Sequence, residues 1–228
     1  MRWRALLVAV GIVVLVAGAR WFGPGGGMLV AGPLGAVLLL VLARRAGLTA
    51  DDVGLGRGSW RAGAGYAAVA VAAVAALYAL AAVLPATRSA FLDERYRTDL
   101  GTAARTAFVV IPLGTVLFEE VAFRGVLWGL IRRERAAARA TLVSSVLFGL
   151  WHIPPSLQLN RVNPAVAHLA GGDRAGQVIA VAGAVVFTGL AGALLCELRR
   201  RSGSLLAPFG LHWATNGLGV LATAAAAR

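Results

Sequence analysis

The 228-residue sequence has no lysine and one cysteine, Cys196. A single thiol excludes an intrachain disulfide and a cysteine-rich zinc site. Charge is scarce: 14% of residues are charged, against about 25% in soluble domains, while 59% are hydrophobic and the mean hydropathy is +0.77. That balance excludes disorder, collagen-like repeats and a secreted disulfide scaffold. Period-two alternation is absent, which argues against a transmembrane barrel. The 22 basic residues are all arginine and face ten acids, for a net charge of +12. In a soluble protein such an excess suggests nucleic acid. Here the arginines cluster in short segments between apolar runs, as orientation signals and anionic-lipid contacts do, and no nucleic-acid partner is expected.

What the sequence does contain is apolar runs of spanning length, about 20 residues each. Seven are read: 5–22, 28–43, 63–84, 106–131, 137–153, 176–196 and 204–225. The expected fold is all-α, a polytopic transmembrane bundle of about seven spans, because helices satisfy their own backbone in hydrocarbon. The second run is short and holds Gly32-Pro33. Trp3, Trp21 and Trp60 fall at span ends, where amphipathic rings prefer the headgroup layer. Arg2, Arg4 and Ala17-Gly18-Ala19 imitate a signal peptide, but a further span follows at once, so an uncleaved first helix is expected. Thirteen arginines fall on the side of the N-terminus and eight on the other, with Arg124 inside a span. Positive-inside bias then places the N-terminus in the cytoplasm of a multi-pass cell-membrane protein. Residues 85–105 read as a solvated loop and 154–175 as turns, with a solvated His168. The alanine-rich end after Leu221 reads as a fraying helix.

From the fourth run onward ionisable groups interrupt the apolar pattern. Glu119, Glu120 and Arg124 lie within the fourth, His152 near the end of the fifth, and His212 and Asn216 within the seventh. A charge at mid-bilayer costs about 2.5–3.5 kcal/mol on insertion scales, so these side chains should face one another or a wet cavity. Glu120 and Arg124 are four apart and share a helix face, as an ion pair does, and alone they read as packing. Glu119 has no second cation nearby in the sequence, so one carboxylate stays available. His212 and Asn216 share a face in the same way. A base, a second titratable group and neutral donors are the parts that activate water and stabilise an oxyanion. Glu119, His152 and His212 also form a possible three-ligand zinc set. No HExxH, intramembrane aspartate pair or Gly-x-Ser elbow around Ser144 and Ser145 is present. Gly125 and Gly129 form a GxxxG packing signal. His152 falls near the outer end of its helix and Glu119 near mid-membrane, which requires a tilted or extended fifth span or a site in the outer half.

Glu119-Glu120-Val-Ala-Phe-Arg124 resembles the EExxxR motif of the CAAX-prenyl-protease and bacteriocin-processing family, also called Abi or type II CAAX protease. Phe148-Gly-Leu-Trp-His152 resembles its FxxxH motif and His212-Trp-Ala-Thr-Asn216 its HxxxN motif. The lead-in Gly203-Ser204-Leu-Leu-Ala-Pro208 is also similar. The resemblance covers 106–225 as a catalytic helical core and leaves 1–105 as helices and loops without an assigned role. It implies an intramembrane endopeptidase acting on a membrane-tethered peptide or protein, either a prenylated CAAX-type substrate or another membrane peptide. By the resemblance, Glu119 and His152 polarise a water, His212 and Asn216 stabilise the oxyanion, and Glu120 with Arg124 shape the site. The family is traditionally called a metalloprotease. Zinc on Glu119, His152 and His212 is the expectation only if a metal is used. Two other readings are a non-catalytic immunity or scaffold protein of the same fold and a small proton-coupled transporter, for which repeat symmetry is lacking.

Overall fold

A computed structural model describes residues 2–22 and 27–226, within which every regular element is helical. Six rods come first in chain order: α1 (Arg2–Phe22), α2 (Met28–Arg45), α3 (Trp60–Val83), α4 (Leu100–Arg132), α5 (Ala137–Trp151) and α6 (Arg174–Ser202). A last rod, α7, joins Leu206–Trp213, Ala214–Leu218 and Gly219–Ala226. Large apolar side chains point outward, among them Leu15 (74% exposed), Val69 (72%) and Phe187 (73%). In α3 only Gly63 and Val74 are buried. That surface suits lipid, and the protein is a multi-pass membrane protein.

Five helices (α1, α2, α3 with its preceding turn, α4 and α6) are long and apolar enough to cross a bilayer. A sixth is counted if α5 and its continuation through Val162, bent by 45°, form one span. The seventh predicted run does form a helix, but His212 and Asn216 lower its apolarity, and it packs against α3 and α4. The weakest predicted span, α2, forms despite Pro33. Its Gly32 lets it approach α4 so closely that an added Cβ would lie 2.7 Å from the Gly114 carbonyl oxygen. The α5–α6 seam is equally tight: a Cβ at Gly149 would meet the Val185 oxygen at 2.7 Å. Small residues are what allow such contact between rods in lipid. The main core gathers Phe118, Phe123, Val126 and Leu127 of α4 with Leu39 of α2, Val13 and Val16 of α1, and Phe148 of α5.

Several expectations are corrected. Residues 154–175 are not a run of turns but three short helices, Ile153–Ser156, Leu159–Val162 and Pro164–Ala170. Pro154 and Pro164 sit in first turns, where the missing N–H costs nothing, and Asn163 Oδ1 accepts from the Val166 N–H at 3.2 Å. The end of the chain does not fray from Leu221: Gly219–Ala226 is helical, and Val220 and Ala224 are buried with Ala103, Ile111 and Val116. Residues 85–97 form tight helical turns docked on this region rather than a free loop. Asp93 accepts from Arg95 at 2.7 and 2.9 Å and from Asn163 at 3.2 Å. Burial pushes its carboxyl up, but the Arg95 guanidinium and Asn163 amide outweigh this and hold it below the usual range. Gly125 and Gly129 do pack closely, although against the 48–53 loop rather than another span. Arg199 clamps that loop, donating to the backbone oxygens of Asp51 (2.8 Å) and Asp52 (3.2 Å). His168 is exposed, as are Trp3 and Trp60; the side chain of Trp21 and residue 228 lie outside the described part.

Candidate active site

The middle of α4 is wound unusually. Thr106–Val116 and Glu120–Leu127 are π-helical, with i→i+5 bonding, and so is Ala214–Leu218 of α7. Such wide turns store strain and recur at functional positions. Between the two wide stretches of α4 lies Leu117–Glu119, so Glu119 and Glu120 straddle the change of pitch.

Both carboxylates are buried, at 2% and 1% exposure, and Arg124 is fully buried. Glu120 Oε1 accepts from Arg124 Nη1 at 3.0 Å and lies 2.7 Å from His212 Nδ1. A carboxylate can only accept, so Nδ1 carries the proton of His212, and Nε2 is a bare lone pair in the neutral ring or a donor in the protonated one. His212 Nε2 faces Glu119 Oε2 at 3.7 Å, and that oxygen has no hydrogen-bond partner among the described residues. The other oxygen of Glu119 is doubly held, by Trp151 Nε1 at 2.9 Å and Arg20 Nη1 at 3.3 Å.

His152 caps α5 where the chain bends, and its Nδ1 lies 2.8 Å from the Phe148 carbonyl oxygen, leaving Nε2 as the free face. The Phe148 ring is a common wall. His152 packs on it at 4.6 Å between centroids and His212 at 5.8 Å, while the Arg124 guanidinium lies 3.9 Å from its centre. His152 is within electrostatic range of Glu119, His212 and Arg20. Five of the six residues singled out from the sequence therefore meet: Glu119, Glu120, Arg124, His152 and His212. Asn216 stands apart. It is exposed and makes no hydrogen bond with those five among the described residues. Asn216 lies in the Ala214–Leu218 stretch one turn beyond the buried His212, where the helix surface is exposed.

Two contacts escaped the sequence reading. Arg20 supplies the cation that Glu119 was expected to lack, and Trp151 supplies a donor. Arg20 sits in the last turn of an apolar run and reads as a flanking charge. Trp151 precedes His152 and, at the end of α5, gives no sign of facing inward. The position of His152 is also explained. Glu119 lies 13 residues before the end of α4 at Arg132, about 20 Å along the rod, where the last turns of α1 and α5 arrive. The site thus lies at the level of two helix ends, those of α1 and α5.

The donor chemistry is of a kind zinc accepts: a carboxylate oxygen and two imidazoles whose other nitrogens are tied to oxygens. Convergence is lacking. Among the described residues no three His, Cys, Asp or Glu side chains come together as a metal site requires. The residues as placed do not fit a three-ligand zinc, and no step below passes through a metal.

Next to His152 opens a cavity of about 600 Å³. Its wall is almost wholly apolar, with Leu159, Val166, Leu169, Ile179 and Phe187, and Arg95 is its one formally charged member.

Comparison with known proteins decides the family. The model of the type II CAAX prenyl endopeptidase Rce1-like family matches residues 101–218, just over half of the chain, from the first turn of α4 through His212 and Asn216. The chain belongs to that family. No curated protein and no solved structure matches it. For an Rce1-like chain the matched segment contains every element that builds the Glu119–Glu120–His212 contact, whereas α1, which brings Arg20, lies outside it.

Proposed function

We propose that this protein is an intramembrane endopeptidase that hydrolyses a peptide bond of a membrane-tethered substrate in the cell membrane, with its N-terminus in the cytoplasm. The observation that carries the reading is the buried Glu119 Oε2, which has no hydrogen-bond partner among the described residues and faces His212 Nε2 at 3.7 Å. A buried carboxylate with one oxygen anchored and the other unengaged has the makings of a general base. Glu119 Oε2 takes a proton from a water whose second hydrogen is accepted by the free face of His152. The water oxygen bonds to the carbonyl carbon, and the carbonyl π pair moves onto its oxygen. Protonated His212, held at Nδ1 by Glu120, donates from Nε2 to that oxyanion, and Asn216 meets the substrate from the rim. Glu119 returns the proton to the amide nitrogen as the C–N bond breaks, giving an acid and an amine. Glu120 and Arg124 fix His212 and the depth of the site. The apolar cavity beside His152 supports a lipidated substrate of the CAAX type.

The test is cleavage of a quenched lipopeptide by the full-length protein in proteoliposomes. Glu119→Gln should lower kcat by about 10²–10⁴-fold, the usual worth of a general base. Wild-type turnover by Glu119→Gln would refute the mechanism and leave the polar cluster as a structural device in a non-catalytic membrane protein.

A further inference from the structure

Glu119 is held asymmetrically. Its Oε1 accepts from two donors on different helices, Trp151 at the end of α5 and Arg20 at the end of α1, while its Oε2 accepts from none among the described residues. Rotating the carboxylate out of this orientation by a quarter turn would break both bonds, so the two donors fix the direction in which the other oxygen points. The charge must also be balanced in a residue that is 2% exposed. Glu120, next in the chain, adds a second negative charge, and Arg124 is committed to it at 3.0 Å and to the Phe148 ring. The groups facing Glu119 are then His212 from α7, His152 and Trp151 from the end of α5, and Arg20 from α1. Of these only Arg20 is a cation without needing to be protonated.

Its placement follows from packing. Ala9, Val13 and Val16 of α1 are buried in the main core, and a Cβ at Gly35 of α2 would lie 2.8 Å from Val16 Cγ2. Arg20 is one turn beyond Val16 on the same helix face, which aims it at α4. The side chain is 24% exposed, so it reaches inward from the rim rather than being enclosed.

We infer that Arg20 is a positioning residue for the proposed reaction: from a helix outside the family-matched segment it fixes the Glu119 carboxylate with Oε1 anchored and Oε2 turned toward His212. The inference rests on the catalytic reading of Glu119 given above. The full chain with Arg20→Gln, Arg20→Met or Arg20→Lys is assayed in proteoliposomes with the quenched lipopeptide, beside Glu119→Gln. Losing a charge-assisted hydrogen bond predicts a fall in kcat of about 10–100-fold for Gln and Met. KM should stay within about twofold, and Lys should recover most of the loss. A purely structural role would instead lower the thermal midpoint and the amount of active protein, with kcat per folded molecule unchanged. Arg20→Met keeps the apolar stem and gives the reading if Arg20→Gln does not fold. Wild-type kcat in the neutral variants, a change in KM alone, or a Lys variant no better than Gln would overturn the assignment. If Glu119→Gln is inactive while Arg20→Gln is fully active, only this inference fails. If Glu119→Gln is itself active, the catalytic reading fails and takes the inference with it.

Discussion

Arg124→Met isolates the buried ion pair at the centre of α4. The wild-type guanidinium is fully buried, 3.0 Å from Glu120, and its flat face lies 3.9 Å from the Phe148 ring centre. Methionine retains most of the apolar stem but leaves Glu120 with His212 as its one remaining partner. Removing one member of a buried pair costs about 3–5 kcal/mol, because the other charge stays desolvated. The lost cation–π contact adds about 0.5–2 kcal/mol. For a chain of this length about 2–4 °C accompanies each kcal/mol, so the combined loss of about 3.5–7 kcal/mol should lower the thermal midpoint by about 7–28 °C. The measurement is thermal unfolding in detergent micelles, followed by tryptophan fluorescence and by recovery on size exclusion. The double variant Glu120→Gln/Arg124→Met removes both charges while the amide oxygen of Gln still accepts from His212 Nδ1, and it should regain more than half of the loss. A single variant melting within about 2 °C of wild type would refute the reasoning, since it would mean that the pair is not desolvated.

Trp151→Phe deletes the 2.9 Å bond to Glu119 but keeps a ring against Phe118, so kcat should fall about 5–30-fold with little change in stability, read by steady-state kinetics. Asp93 titrates below its usual range when folded, so its docking contribution is complete above about pH 4 and is lost as pH falls through the lowered value. Limited proteolysis of 85–97 should therefore be slow at pH 6 and rise below about pH 4, and a rate independent of pH would contradict this. Gly149→Val places carbon where the Val185 oxygen already is and should separate α5 from α6, lowering both melting temperature and yield, whereas Gly11→Val, with open space around it, should be neutral.

Much of this was legible beforehand because the physics is local. Apolar runs of spanning length gave helices at every predicted place, and Glu120 with Arg124 pair as their four-residue spacing requires. The costliness of charge in lipid pointed to Glu119, His152 and His212 as neighbours, and they are. What the sequence concealed depends on three-dimensional approach. Arg20 and Glu119 are separated by 99 positions, and nothing in an apolar run ending in arginine shows that its tip bends over a neighbour. Asn216 was placed beside His212 because residues four apart share a helix face, but one turn of α7 carries that face from the buried His212 to an exposed rim. The 154–175 segment misled because proline and asparagine open helices as readily as they make turns.

The two arginines that balance the acidic residues of α4 have a bearing on biogenesis. Arg20 is synthesised before Glu119, and Arg124 emerges five residues after it on the same rod. Each carboxylate therefore has a counter-ion within the first 124 residues of the chain. Both counter-ions precede either histidine in the order of synthesis. A nascent chain truncated after α4 should already sit stably in the bilayer, and the final helix would arrive at a socket already neutralised.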